Sequence, residues 1–248
     1  MSPHIETIDP RVTPSLPFLT YLADWEAALP TMSLKGIVEA AGSPEQVAVI
    51  SVDLIKGFTA TGPLSSPRVG ALVPRVAALL TEAHGLGVRQ FVLLQDAHPP
   101  NSPEFDDLPA HCVQGTIEAE TDDGLAALPF ASTFNVMKKR SLDGLVATEL
   151  MGWLEARPHL RRLVVVGDCT DLCVYELVMH LQMRAHALHL PYEVVVPARC
   201  VNTYDLPVET ATAIGARPHD GDLLHRVFLH QMAANGVMVV GALDEAVP

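Results

Sequence analysis

The sequence is poor in basic charge: 16 lysines and arginines stand against 29 aspartates and glutamates in 248 residues, a formal net charge of −13. Nucleic acids and anionic membrane surfaces are bound through basic patches, so neither is an expected partner. A small neutral or cationic molecule suits the chain better. Long apolar runs are also missing, and nothing approaches the roughly 20 residues a membrane-spanning helix needs. The opening stretch MSPHIETIDPRVTPS has neither the basic nor the apolar region of a secretory leader. Cysteine is scarce: Cys112, Cys169, Cys173 and Cys200 are too few and too scattered for a disulfide scaffold. Internal repeats and low-complexity tracts are absent. These absences describe a soluble, cytoplasmic protein with free thiols.

What is abundant is apolar residue, 49% against 18% charged, enough for one well-buried domain. The first 45 or so residues mix prolines with an amphipathic piece, FLTYLADWEAAL. They read as an N-terminal extension packed on a main domain running from 46 to 248. From Gln46 onward apolar runs of strand length alternate with helical spacing. QVAVISVD, RQFVLLQD, STFNVMKK, RRLVVVGD, YEVVVPAR and GVMVVGAL are the expected strands. RVGALVPRVAALLTEAHGLG, DGLVATELMGWLEA, DLCVYELVMHLQMRAHAL, LPVETATAIGA and DLLHRVFLHQMAAN are the expected helices, with Pro74 in a first turn. Strands apolar along their whole length, alternating with helices, imply a mostly parallel sheet covered on both faces. The fold class is therefore α/β, a three-layer α/β/α sandwich of about six strands.

Ligands of such sheets bind beyond the carboxyl ends of the strands. Polar residues of complementary chemistry collect there. Asp53 ends the first strand, Asp96 the second and Lys138 or Lys139 the third, while the turn GDCTDLC follows the fourth. Cys173 falls just inside a predicted helix, where unpaired N–H groups and the helix dipole favour a thiolate. Those N–H groups could also hold an oxyanion. A cysteine in such a place most often simply packs the first turn. A candidate base, Asp53, and a candidate cation at neighbouring strand ends shift the balance toward nucleophilic chemistry.

The loop DAHPPNSPEFDDLPAHC adds Asp96, His98, Glu104 and His111. Asp-x-His at a strand end, followed by a further Glu and His, can complete an N/O shell for Zn²⁺, Fe²⁺ or Mn²⁺. The remaining histidines, His84, His180, His186, His189, His219, His225 and His230, lie on or near helices and are assigned no role.

Taken together, VDLIKGF, DAHPPNSPEF, HCVQGT and GDCTDLCV resemble the motifs of the isochorismatase-like cysteine hydrolases, most closely the nicotinamidases. KKRSLDGL, RCVNTYDLP and ARPHDGDLLHRVFLHQM look like the plant-type branch. The similarity runs from about Val47 to about Val240. It implies Asp53, Lys139 and Cys173 as catalytic residues, the family spacing of six residues to Leu145, opening the next helix, favouring Lys139 over Lys138. It implies the backbone N–H groups of Cys169 and Cys173 as an oxyanion hole, with a cis peptide at Asp168–Cys169. The ammonium of Lys139 is expected to keep the thiol acidic. Asp96, His98, His111 and Glu104, the last directly or through water, would hold one divalent metal, zinc with iron or manganese as alternatives. Phe58 would pack against a bound ring. Ala97 replaces the Trp many relatives carry within the Asp-x-His motif. The implied activity is hydrolysis of nicotinamide to nicotinate and ammonia through a thioester, in NAD salvage, by a protein that self-associates into a homo-oligomer. An amidase of ureido or carbamoyl compounds and a catalytically idle ligand-binding member of the fold are the alternatives.

Overall fold

The computed structural model describes residues 9–243. Residues 1–8 and 244–248, the outer ends of the expected extension and domain, lie outside the described residues. The strands are β1 (Thr31–Met32), β2 (Val47–Val52), β3 (Gln90–Asp96), β4 (Asn135–Lys139), β5 (Arg162–Asp168), β6 (Glu193–Pro197), β7 (Val201–Asn202), β8 (Met238–Val240) and β9 (Ala242–Leu243). The α-helices are α1 (Leu16–Ala27), α2 (Leu34–Ala41), α3 (Lys56–Thr59), α4 (Pro67–Gly70), α5 (Val73–Gly85), α6 (Asp123–Ala126), α7 (Leu150–Glu155), α8 (Cys173–Leu188), α9 (Val208–Ile214) and α10 (Gly221–Ala234).

Six strands form a parallel sheet in the order β4-β3-β2-β5-β6-β8, and short β7 adds a seventh by pairing with the end of β5. Side chains alternate across a strand, and β2 shows the result. Ala48, Ile50 and Val52 enter a core shared with Leu154, Leu177, Leu181 and Leu229, from α7, α8 and α10. Val47 and Val49 enter a second core with Ile37, Val76 and Leu80, from α2 and α5. Both faces are therefore covered, which is why these strands read as unbroken apolar runs.

Successive strands step outward from β2 to β3 and β4, then the chain crosses to β5 on the other side of β2. That reversal opens a crevice at the tips of β2 and β5. Close approach there requires Gly167: its φ is +114°, and a Cβ would overlap the Val52 backbone.

Two helical expectations are corrected. The 20-residue segment before β3 keeps Pro74 in the first turn of α5, as expected, but its opening residues belong to a separate short helix, α4. The helix expected over DGLVATELMGWLEA is confined to Leu150–Glu155. Ala147 adopts φ +54°, and the Thr148 hydroxyl accepts from Leu150 N at 3.2 Å, so the segment around Leu145 is a turn. Leu145 is buried but opens no helix.

Before β2, α1 packs on α10, and β1 pairs in parallel with β9, tying the first described segment to the last. Among the described residues no helix is long and apolar enough to cross a membrane.

Candidate active site

Asp53 follows β2 in a left-handed conformation, φ +55°, which aspartate tolerates better than most residues. Its Oδ1 accepts from Asp96 N at 2.9 Å. On β4, alternation sends the two lysines opposite ways. Lys138 Nζ donates to Gln95 Oε1 at 2.9 Å and the Ala119 carbonyl at 2.7 Å. Lys139 is buried, and its Nζ lies 2.7 Å from Asp53 Oδ2, 2.6 Å from Asp96 Oδ1 and 3.4 Å from Cys173 Sγ. The Asp53 contact is close but poorly aligned, since Oδ2 has no well-directed hydrogen-bond partner among the described residues. It is an ion pair that leaves the oxygen able to take a proton. Carboxylate oxygens of Asp53 and Asp96 and the Cys173 sulfur all fall within 4.8 Å of one another.

Burial sets the protonation of this group. It pushes the Asp53 carboxyl up, and with the charge of Asp96 brings it to about 6 despite Lys139. Burial also pushes Asp96 up, but Lys139 and His98 outweigh it and hold Asp96 low. The ammonium of Lys139 is disfavoured by burial, yet the nearby carboxylates of Asp53 and Asp96 hold its pKa well above the ordinary value. The Cys173 thiol is driven well up by burial; Lys139 pulls it down, but Asp53 and Asp96 push it up again. The expectation of an acidic thiol is thus corrected: the resting sulfur is protonated and needs a base.

Cys173 is the first residue of α8, and no side chain caps that end. Its N–H therefore has no intrahelical acceptor. The Cys169 carbonyl instead accepts from Leu172 N and Val174 N at 3.1 Å each. The Asp168–Cys169 peptide is cis.

Beside this group, Asp96, His98 and His111 bring ligand atoms within 4.8 Å of one another. Both ring nitrogens of His98 are buried without a hydrogen-bond partner among the described residues, a state that is costly unless something else binds them. His111 Nδ1 contacts the Pro109 carbonyl at 2.9 Å, which leaves Nε2 for a metal. Glu104 is not brought into the cluster. Its Oε2 lies 3.5 Å from His98 Nδ1, whereas Asp96 Oδ2 lies 3.5 Å from Nε2. Phe58 is half-buried beside the cluster, 5.8 Å from His111 between ring centroids.

Two histidines without an assigned role hold the nucleophile turn. His219 Nε2 contacts Asp171 Oδ2 at 2.8 Å while its Nδ1 contacts the Tyr204 carbonyl at 2.9 Å. His225 Nδ1 contacts Thr170 Oγ1 at 2.8 Å. These pairs are 48 and 55 residues apart, and no local periodicity signals them. Asp168, also unforeseen, is buried with Oδ1 unpartnered among the described residues. Burial and the charge of Asp53 push its carboxyl well above the ordinary range.

The profile of the isochorismatase domain matches residues 47–241. Nicotinamidase 1 of Arabidopsis thaliana is 30% identical over 216 residues, covering 80% of this chain and 86% of that protein. Two similar structures share the fold. The pyrazinamidase of Pyrococcus horikoshii in complex with zinc has a TM-score of 0.60 at 23% identity, over 79% of this chain and 98% of the other. The N-carbamoylsarcosine amidase of Thermoplasma acidophilum has 0.61 at 20%, over 82% and 99%.

Proposed function

The chain belongs to the isochorismatase family, and from that premise we propose that it hydrolyses nicotinamide to nicotinate and ammonia through a thioester on Cys173. The observation that carries the reading is the convergence of Asp53, Lys139 and Cys173 around one buried ammonium.

Asp53, ionised above about pH 6, takes the thiol proton, and the sulfur attacks the carboxamide carbon. The carbonyl electrons pass to oxygen, which the N–H groups of Cys169 and Cys173 receive. Collapse of this adduct breaks the C–N bond, and the proton held by Asp53 leaves with ammonia. Asp53 then takes a proton from water, which attacks the thioester and releases nicotinate; the thiol recovers its proton. Lys139 keeps Asp53 oriented and its charge balanced throughout. Cys173 retains 6% exposure against 1% each for Asp53 and Lys139, so the sulfur is the group a substrate meets.

The residues present fit a metal, because both buried nitrogens of His98 lack a well-formed hydrogen bond among the described residues, with the Asp96 and Glu104 carboxylates no nearer than 3.5 Å. Asp96, His98 and His111 would hold it, and Glu104 would steady the His98 ring from its other nitrogen. An N/O donor set of this kind suits zinc, with iron and manganese as alternatives. When bound, such an ion supplies a Lewis-acid contact for a ring nitrogen. Phe58 offers a face against which an aromatic ring packs, a contact worth about 1 kcal/mol. The activity would place the protein in NAD salvage.

The test is ammonia release from nicotinamide, pyrazinamide and a set of carbamoyl compounds, with and without a chelator. Chelator-sensitive turnover of the pyridine and pyrazine amides is expected. Turnover of carbamoyl compounds alone would replace the substrate, and none at all would refute the enzyme.

A further inference from the structure

Glu26 lies on α1, outside the matched region 47–241, yet it faces the nucleophile turn through one intermediate. Its Oε2 accepts from Arg226 Nε at 2.6 Å, and its Oε1 lies 3.7 Å from His225 Nε2. The other nitrogen of His225 meets Thr170 Oγ1 at 2.8 Å. Thr170 is fully buried between Cys169 and Cys173, and its N–H donates to the Asn202 carbonyl at 2.9 Å. The residue between the two proposed oxyanion donors is therefore gripped at its backbone by β7 and at its side chain by His225.

We propose that Glu26 is a positioning residue of the active site: by facing Nε2 of His225 it fixes the ring tautomer, and so the direction of the hydrogen bond that holds Thr170. The inference rests on the amidase reading of Cys173. The argument is electrostatic. Burial, helped by Arg68 and Arg226, holds the His225 pKa below its ordinary value, against the pull of Glu26 and Asp222, so the ring is neutral and carries one proton. A carboxylate facing Nε2 favours that proton at Nε2. Nδ1 is then an acceptor, and the Thr170 hydroxyl must donate to it. Thr170 Oγ1 is left with its lone pairs free and its rotamer set. Through His225 and Thr170, α1 thus contributes to the placement of Cys169 and Cys173.

The simpler role for Glu26 is to staple α1 to α10 through Arg226. Trp25 serves that purpose too, since its ring meets His230 edge-on at 5.1 Å. The two roles separate in Glu26→Gln. The carbonyl of the new amide stays with Arg226, which can only donate, and its NH₂ turns toward His225 Nε2. The ring proton then moves to Nδ1, and the Thr170 bond reverses.

In the full-length enzyme, Glu26→Gln is expected to lower kcat about tenfold with KM changed by less than about twofold, as misplacement of a catalytic group does. Nitrogen-15 spectra of His225 should show the Nε2–H tautomer in the wild type and the Nδ1–H tautomer in the variant. Trp25→Leu, which loosens the same helix, should lower Tm and leave kcat and tautomer unchanged. His225→Asn, which keeps a polar atom near Thr170, should retain more kcat than His225→Leu. An unchanged kcat and tautomer in Glu26→Gln, or an equal loss of kcat in Trp25→Leu, would overturn the inference. Absence of ammonia release from every amide in the wild type would refute the amidase reading instead, while the tautomer shift would still report the linkage.

Discussion

Asp96 serves two partners at once: Oδ1 lies 2.6 Å from Lys139 Nζ, and Oδ2 lies 3.5 Å from His98 Nε2. One carboxylate therefore joins the nucleophile group to the metal cluster. Asp96→Asn should lower bound metal, read by elemental analysis, and slow turnover even when metal is resupplied. Full activity at saturating metal would show that the Lys139 contact is dispensable.

The two adjacent lysines should differ sharply. Lys139→Met leaves Asp53 and Asp96 buried without their counter-charge, a loss of about 3–5 kcal/mol for a broken buried pair, and it should abolish turnover. Lys138→Met removes two half-buried hydrogen bonds and should cost about 1–2 kcal/mol with turnover largely kept. Denaturant titration and ammonia release read both, and equal effects would dissolve the distinction.

The pH profile follows from Asp53. Its carboxyl titrates at about 6, and the ionised form is the base, so kcat/KM should fall about tenfold per pH unit below that value. Asp53→Asn should remove this limb along with a factor of about 10²–10⁴ in rate. A limb unmoved in the variant's residual activity would assign it to another group.

Cys173→Ala should eliminate ammonia release without loss of fold, because a small side chain still fits the first turn of α8. Mass spectrometry of quenched wild-type turnover should find the acyl group on the peptide containing Cys173. Appreciable turnover by the alanine variant would exclude the covalent route.

His98→Ala should reduce bound metal by 10–100-fold in affinity, roughly the effect of losing a ligand or its support, and raise KM for nicotinamide. Unchanged metal content would remove His98 from the shell.

The strand runs, their helices and the polar strand ends were written locally, in apolar periodicity and in short motifs, and so could be read without coordinates. Asp53, Asp96 and Cys173 were legible because each stands where a regular element closes or opens, and a parallel sheet brings such ends to one edge. The strand end left Lys138 and Lys139 both open, and their opposite directions in the fold separate them. The turn around Leu145 was not legible, because a left-handed Ala147 stops the helix that local spacing favours. Nor was the protonated thiol, since its state depends on how deeply the sulfur is buried and on which charges surround it. The grip of His219 on Asp171, and of Glu26 and His225 on Thr170, was decided by tertiary structure alone. Such contacts join residues far apart in the chain, whose meeting depends on how α1 and α10 pack against the sheet, and no spacing within a single segment encodes that packing.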